Sequence, residues 1–272
     1  MVLRSFPYPG SKARHVDWII SNLPQHERYV EPFCGSASVF LNKPKALDEI
    51  INDIDGNIIN FFEVLRERPE ALVNYLNMLP FSLDEHNRIV NDYYNKIYAE
   101  DTVQRAAEFY YLRYSQWGSK AEAAAGLSRR SNSVASQAKF YKKSLSDLFK
   151  VTDRLMDALI ENRTYEWIIE YYDHEDAVFY CDPPYKGTEG KYQSRTMDHD
   201  LLLTLLDNIQ GKFLLSYDHK LDRVDWYTVK KQSRYKINRG GKENTEYLYM
   251  NFDPNNTDIH TDAEQTNLTG WD

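Results

Sequence analysis

The stretch Ala177-Val178-Phe179-Tyr180-Cys181-Asp182-Pro183-Pro184-Tyr185 restricts the fold more than any other part of the chain. Five apolar residues in succession suit a strand buried on both faces. Two prolines then stop it, because each fixes φ and removes the N–H that a ladder would need. The strand therefore belongs inside a covered, mostly parallel sheet, and it ends by presenting the Asp182 carboxylate beside carbonyls that have no competing donors.

The flanking sequence supplies the rest of an α/β fold. A strand at Arg28-Tyr29-Val30 runs into a turn through Pro32 and Gly35, and a helix is predicted from about Ser36, with Val39 and Phe40 apolar. A second strand is predicted at Glu49 to Asn52, a strongly apolar helix at Asn57 to Arg66, and Pro69 suits the first turn of the next helix. Ser82-Leu83-Asp84-Glu85 is a capping-box signal, and another helix starts near Asp101 and runs through Phe109 and Leu112. Ser115 to Gln137 is small and polar, as in a surface loop, and Ala138 to Ile160 has a long helical pattern. After the apolar strand come a Leu-rich helix at Asp198 to Ile209, a strand at Lys212 to Ser216, and a hairpin with Gly240-Gly241 at its turn and Thr245 to Phe252 as its return strand. Alternating strands and helices imply a parallel sheet covered on both faces, with the hairpin as an antiparallel addition.

Charge is segregated along this chain. The formal net charge is −8, which by itself argues against a nucleic-acid partner. From Arg113 to Arg154, however, nine basic residues face three acidic ones, a local +6 that leaves the remainder near −14. Thr228 to Lys242 carries six basic residues and no acid, and the tail after Phe252 carries five acids and no Lys or Arg. Solvated helix faces would explain any one of these runs; a polyanion-binding segment explains the first together with its loop. Cys34 and Cys181 lack metal-ligand spacing and suit a reducing compartment, so no metal is expected. No apolar run reaches the ~18 residues of a membrane span, and Phe6-Pro7-Tyr8-Pro9 stands where a signal peptide would be apolar, so a cytoplasmic protein with no membrane partner is expected.

Two strand ends carry candidate chemistry, since ligands of such sheets bind outside the carboxyl ends of the strands. At the first, Glu31-Pro32-Phe33-Cys34-Gly35, a glycine permits close backbone approach beside a carboxylate, and Asp53 follows about 20 residues later where a ribose is commonly held. A plain turn has the same composition. At the second, Asp182 and the Pro183 carbonyl can accept both N–H bonds of a planar amine, Pro184 stiffens the backbone, and Tyr185 can stack on the ring that bears the amine. A rigid Asp-capped turn is the structural alternative.

Phe6 to Lys12, Tyr29 to Phe40, Asn52-Asp53-Ile54 and Asp182 to Tyr185, in this order, resemble the successive motifs of Dam-like, alpha-group DNA adenine N6-methyltransferases, over Phe6 to Phe252. The resemblance implies a Rossmann-like methyltransferase sheet and S-adenosylmethionine as cofactor. It implies that Tyr8 and Lys12 flank the cofactor, that Glu31, Pro32, Phe33 and Gly35 hold its methionine end, Asp53 its ribose, and the stretch Asn162 to Tyr165, with Thr164 and Tyr165, its adenine. Asp182 would stand between cofactor and target amine. Thr164 replaces an acidic residue found in many members, and Tyr114 to Gly118 departs from the pattern of members that recognise GATC.

On this reading residues 1–65 and 151–252 form the catalytic domain, 66–150 a mainly helical inserted target-recognition domain, and 253–272 an acidic tail. Double-stranded DNA is the expected partner, touched by Arg113, Gln116, Trp117, Arg129, Arg130, Lys139, Lys142 and Lys143. Transfer to the N4 amine of cytosine is the nearest rival; cytosine-amine enzymes more often carry Ser where Asp182 stands. A catalytically silent DNA-binding module on the same fold would be expected to have a damaged cofactor motif. Attack on cytosine carbon requires a thiolate, and neither cysteine follows a proline. Gly10-Ser11-Lys12 is not a phosphate loop, because the GxxxxGK[ST] spacing is missing.

Overall fold

The computed structural model describes residues 2–115, 145–185, 197–237 and 240–255. Its centre is a seven-stranded sheet in the order β3-β2-β1-β4-β5-β7-β6. The strands are β1 (Arg28–Glu31), β2 (Asp48–Asn52), β3 (Leu159–Glu161), β4 (Ala177–Cys181), β5 (Lys212–Tyr217), β6 (Tyr227–Ile237) and β7 (Gly240–Met250). The first five are mutually parallel, with Val30 paired to both Ile50 and Phe179. β7 inserts antiparallel between β5 and β6. The α/β architecture with an antiparallel terminal hairpin is therefore the one expected.

Side chains alternate between two cores, as the two-residue strand period requires. Tyr29, Ile51, Val178, Tyr180, Leu214 and Leu248 point to one face. There they meet α2 (Gly56–Glu67), α3 (Pro69–Met78), α4 (Leu83–Tyr94), α5 (Thr102–Ser115) and a helix over 145–155, α6. Val30, Ile50, Phe179, Cys181, Phe213 and Leu215 point to the other face, covered by α7 (Tyr165–Tyr172) and α8 (His199–Asp207). The short α1 (Val16–Ile20) precedes β1 and contributes Val16 and Ile19 to the first core. Caps set several starts: the Ser82 side chain accepts from the Glu85 amide, Asp55 from Asn57, and Asp198 from Leu201. Leu72, Leu76, Ile89, Val90 and Phe109 lie in the same core as the sheet, so α3 to α5 pack directly on the α/β unit.

Three local expectations need correction. No helix begins at Ser36; the chain makes successive turns, with φ of 48° at Gly35 and 52° at Ala37, outside the right-handed helical region. The helical pattern of 138–160 ends at 155 among the described residues, and Leu159–Glu161 instead forms β3 against β2. Gly240 and Gly241 begin β7, paired with Ile237 and Lys236 of β6, rather than standing at a turn.

Two basic residues at the ends of the basic segment, Arg113 and Arg154, are buried. Arg154 is buried on α6, where its guanidinium bonds the Glu49 carboxylate of β2, at 2.7 Å for Nη2 to Oε1. Lys43 meets the same Glu49 oxygen at 2.5 Å. A buried carboxylate with two cationic partners ties α6 to the sheet, and burial of the pair works only because those bonds are made.

Candidate active site

β1 is followed along the chain by β2 on one side and flanked by β4 on the other, so the loops leaving β1 and β4 diverge and open a crevice between them. A cavity of about 400 Å3 occupies that crevice. Of the residues expected at the cofactor or catalytic site, Tyr8, Lys12, Glu31, Pro32, Phe33, Gly35, Asp53, Thr164, Tyr165, Asp182, Pro183, Pro184 and Tyr185 line it, while Asn162 stands outside and donates to the Asp53 carbonyl.

The wall after β1 is built by hydrogen bonds that the turns make necessary. Glu31 is buried, and its Oε2 accepts from the Tyr29 hydroxyl at 2.9 Å and the Phe40 amide at 3.1 Å. Burial pushes its carboxyl up to about 8, against those two bonds. Gly35 turns beneath the Tyr8 ring, where a Cβ would lie 3.0 Å from two ring carbons, so a side chain there meets both strain and an obstacle. Asp53, just after β2, accepts from the Gly35 amide and the Asp55 amide, each at 2.9 Å, and burial raises it to about 7. It thus links the two loops while lining the cavity.

The third wall comes from the chain entering α7. Thr164 caps that helix, its hydroxyl accepting from the Trp167 amide at 3.4 Å. The Tyr165 ring lies 5.3 Å from that of Phe33, and its hydroxyl donates to the Asp198 carbonyl at 2.9 Å. Glu166 also lines the cavity, and its Oε2 is buried without a hydrogen-bond partner.

At the end of β4, Asp182 is raised to about 6, chiefly by burial, with the Lys12 ammonium holding it lower than burial alone would. Lys12 Nζ lies 2.7 Å from Asp182 Oδ1 and 3.2 Å from Glu246 Oε1, and it also bonds the Tyr185 hydroxyl. Burial works against the lysine's charge, but the two carboxylates prevail and its pKa lies above the ordinary value.

Several participants were missed from sequence. Glu246, on β7, is one. Asn52 is another: its side chain bonds the Pro32 carbonyl at 2.9 Å and both backbone groups of Arg163, stapling three strand ends together. Ser11, Ser36 and Ser38 join their hydroxyls in a triangle with edges of 2.9 to 3.1 Å at the cavity wall. All but Glu246 fall within or beside the quoted motifs, so their position was visible although their bonds were not.

Of the residues expected to touch DNA, Arg113 must be withdrawn. It is buried, donates to the Tyr93 hydroxyl at 2.8 Å and lies 4.6 Å from the Phe109 ring centroid, so among the described residues it serves the core rather than the surface. The C-terminal half of α5 is buried on all sides, from Ala106 to Ser115, which places Arg113 among aromatic rings. Gln116, Trp117, Arg129, Arg130, Lys139, Lys142 and Lys143 lie outside the described residues.

The β1 and β4 ends of a mostly parallel sheet thus enclose an acidic and aromatic cavity, the place where open α/β proteins bind ligands beyond their strand ends. The chain belongs to the D12 class N6 adenine-specific DNA methyltransferase family, whose model matches residues 8–266. It is 27% identical over 198 residues to a DNA N-6-adenine-methyltransferase of Escherichia phage P1, covering 68% of this chain and 24% of that protein. A DNA adenine methylase of Escherichia coli K12 is 28% identical over 186 residues, 65% of this chain and 63% of the relative. One from Salmonella typhi is 24% identical over 254 residues, covering 87% and 88%. The matched region thus spans about a quarter of the phage protein and less than two thirds of the Escherichia coli one.

Proposed function

We propose that this protein transfers the methyl group of S-adenosylmethionine directly to the N6 amine of an adenine flipped out of double-stranded DNA. The observation that carries the reading is the buried Asp182 carboxylate at the end of β4, in the same cavity as the Glu31, Asp53 and Tyr165 walls.

The residues fit such a cofactor. Glu166 Oε2 is a buried acceptor with no donor, next to the Phe33 and Tyr165 rings, which suits an adenine amine and its ring. Asp53 suits ribose hydroxyls, and Glu31 suits the ammonium of the methionine end. S-adenosylmethionine supplies an already activated methyl group, so alignment is the protein's main task. Asp182 accepts one N–H of the target amine and the Pro183 carbonyl the other, which aims the nitrogen lone pair across the cavity. Tyr185 stacks on the base. Asp182, with its carboxyl near 6, is basic enough to take the proton that a methylated, cationic amine sheds. Extruding the base costs a few kcal/mol, which phosphate contacts from the 66–150 segment would offset.

The test is incorporation of labelled methyl from S-adenosylmethionine into unmethylated duplex DNA, followed by nucleoside analysis. Label should appear as N6-methyladenine, and Asp182→Ala should lower the rate by at least about 100-fold while the protein stays folded by circular dichroism. Label on cytosine, or none, would overturn the proposal.

A further inference from the structure

Lys12 has more negative charge around it than an ion pair needs. Its Nζ is 2.7 Å from Asp182 Oδ1 and also bonds the Tyr185 hydroxyl, so one carboxylate already balances its charge. Glu246 adds a second carboxylate at 3.2 Å, reached from β7, a strand that carries no sequence motif. Side-chain exposures of 6%, 19% and 8% for Lys12, Asp182 and Glu246 place all three charges away from bulk water. Two carboxyl groups thus share one buried ammonium, one more acid than a simple ion pair requires.

The oxygen that Glu246 turns toward Lys12 is itself fixed. Its Oε1 also accepts from the Tyr185 hydroxyl and from the Ser216 hydroxyl of β5 at 3.1 Å. Ser216 in turn lies 3.4 Å from the Tyr180 hydroxyl of β4. Side chains of three adjacent strands thus hold one carboxylate oxygen facing the lysine.

We propose that Glu246 is a positioning residue for methyl transfer: it keeps the Lys12 ammonium on one oxygen of Asp182, leaving the other oxygen to accept the target amine. Without this second anchor, Lys12 is free to settle fully onto Asp182 and compete with the amine for both oxygens. The inference rests on the amine-transfer reading given above.

A positioning role has a signature in the pH profile that a packing role lacks. The groups facing Asp182 are Lys12, Glu246, Glu31, Tyr180, Tyr185 and the adjacent Cys181 thiol. Burial drives both phenols and the thiol far up, so all three stay neutral in the working range, and it raises Glu31 to about 8. His15, near Glu246 and Lys12, is held below its usual value by burial and is neutral there too. With cofactor saturating, so that it engages Glu31 and Asp53, the acid limb of kcat reads Asp182, which Lys12 holds down and Glu246 pushes up.

The experiment compares the full chain with Glu246→Gln, Lys12→Met and the double variant, reading kcat, KM for cofactor and DNA, and the pH profile. Gln keeps the acceptor oxygen for Tyr185 and Ser216 but loses the charge that holds Lys12, so E246Q should stay folded while releasing the lysine. Turnover of E246Q should fall about 10- to 100-fold with KM values nearly unchanged. Its acid limb should move to lower pH, because a carboxylate that raised Asp182 is gone; that of Lys12→Met should move to higher pH. In the Lys12→Met background, Glu246→Gln should cost little more. An E246Q enzyme with wild-type turnover and pH profile, or one whose loss is the same in the Lys12→Met background, would overturn the inference while leaving adenine methylation by the wild type intact. A wild type that methylates no adenine would remove the parent reading instead.

Discussion

Cofactor binding should release a proton, and the site's geometry fixes how many. Glu31 is 2% exposed, and burial raises its carboxyl to about 8 against bonds from the Tyr29 hydroxyl and the Phe40 amide. At pH 7 the unliganded protein therefore holds about 0.9 of a proton on this group. The sign follows from linkage: a raised carboxyl favours the folded, unliganded state at low pH, and that contribution is lost as pH rises through about 8. A ligand that brings an ammonium or sulfonium to Glu31 binds its ionised form, so affinity rises with pH and levels off above about 8. Near pH 7 the logarithm of affinity should climb by about 0.9 per pH unit, each unit being worth about 1.4 kcal/mol. Calorimetric titration of S-adenosylmethionine in phosphate and in Tris, buffers of different ionisation enthalpy, should give a release approaching one proton per site, and Glu31→Gln should abolish most of it. S-adenosylhomocysteine keeps the ammonium but has no sulfonium. Equal release with it would place Glu31 at the amino-acid end, and release with S-adenosylmethionine alone would place Glu31 at the sulfonium. Zero release together with a pH-independent affinity would refute the reasoning.

Three further outcomes test other parts of the molecule. Gly35→Ala puts a side chain at φ 48° against the Tyr8 ring, and equilibrium unfolding should show a loss of about 1–2 kcal/mol accompanied by weaker cofactor binding. Arg113→Ala empties a buried aromatic niche, so it should lower stability by about 2 kcal/mol in the same assay and leave the salt dependence of DNA binding unchanged; a flatter salt slope would return Arg113 to the DNA surface. Neutralising Lys142 and Lys143 together should flatten the plot of log affinity against log salt by about two units and leave cofactor affinity alone, as two lost phosphate contacts require.

Which parts of the fold were legible follows from how each element is stabilised. β4 and β5 are interior strands, and burial on both faces writes itself as the apolar runs Ala177 to Cys181 and Phe213 to Leu215. α4 announces itself through Ser82, whose hydroxyl is needed to satisfy an amide of the first turn. β3 gave no comparable sign. It is three residues long, stands at the sheet edge, leaves Leu159 half exposed, and follows an amphipathic helix whose period its own residues continue. The turns after Ser36 misled for a related reason: Val39, Phe40 and Leu41 are buried at spacings a helix would also give, and their conformation is set instead by the Glu31 carboxylate and the positive φ at Gly35 and Ala37.

The active site divides along the same line. Residues whose chemistry is local, such as Asp182 beside two prolines, declare themselves in four letters, because the backbone restriction and the functional group are neighbours in sequence. Glu246 acts on a residue 234 positions away in sequence, and only the pairing of β7 with β5 brings it to Lys12. A trace of it was still present: Glu246, Leu248 and Met250 occupy alternate positions of one strand, the latter two in the core, so the acid had to point inward with them. An acid at an inward strand position needs a buried cation or donors, and Lys12, Tyr185 and Ser216 are what it finds. The strand period alone therefore predicts a buried carboxylate on β7; its partner can be named only once the strand order is known.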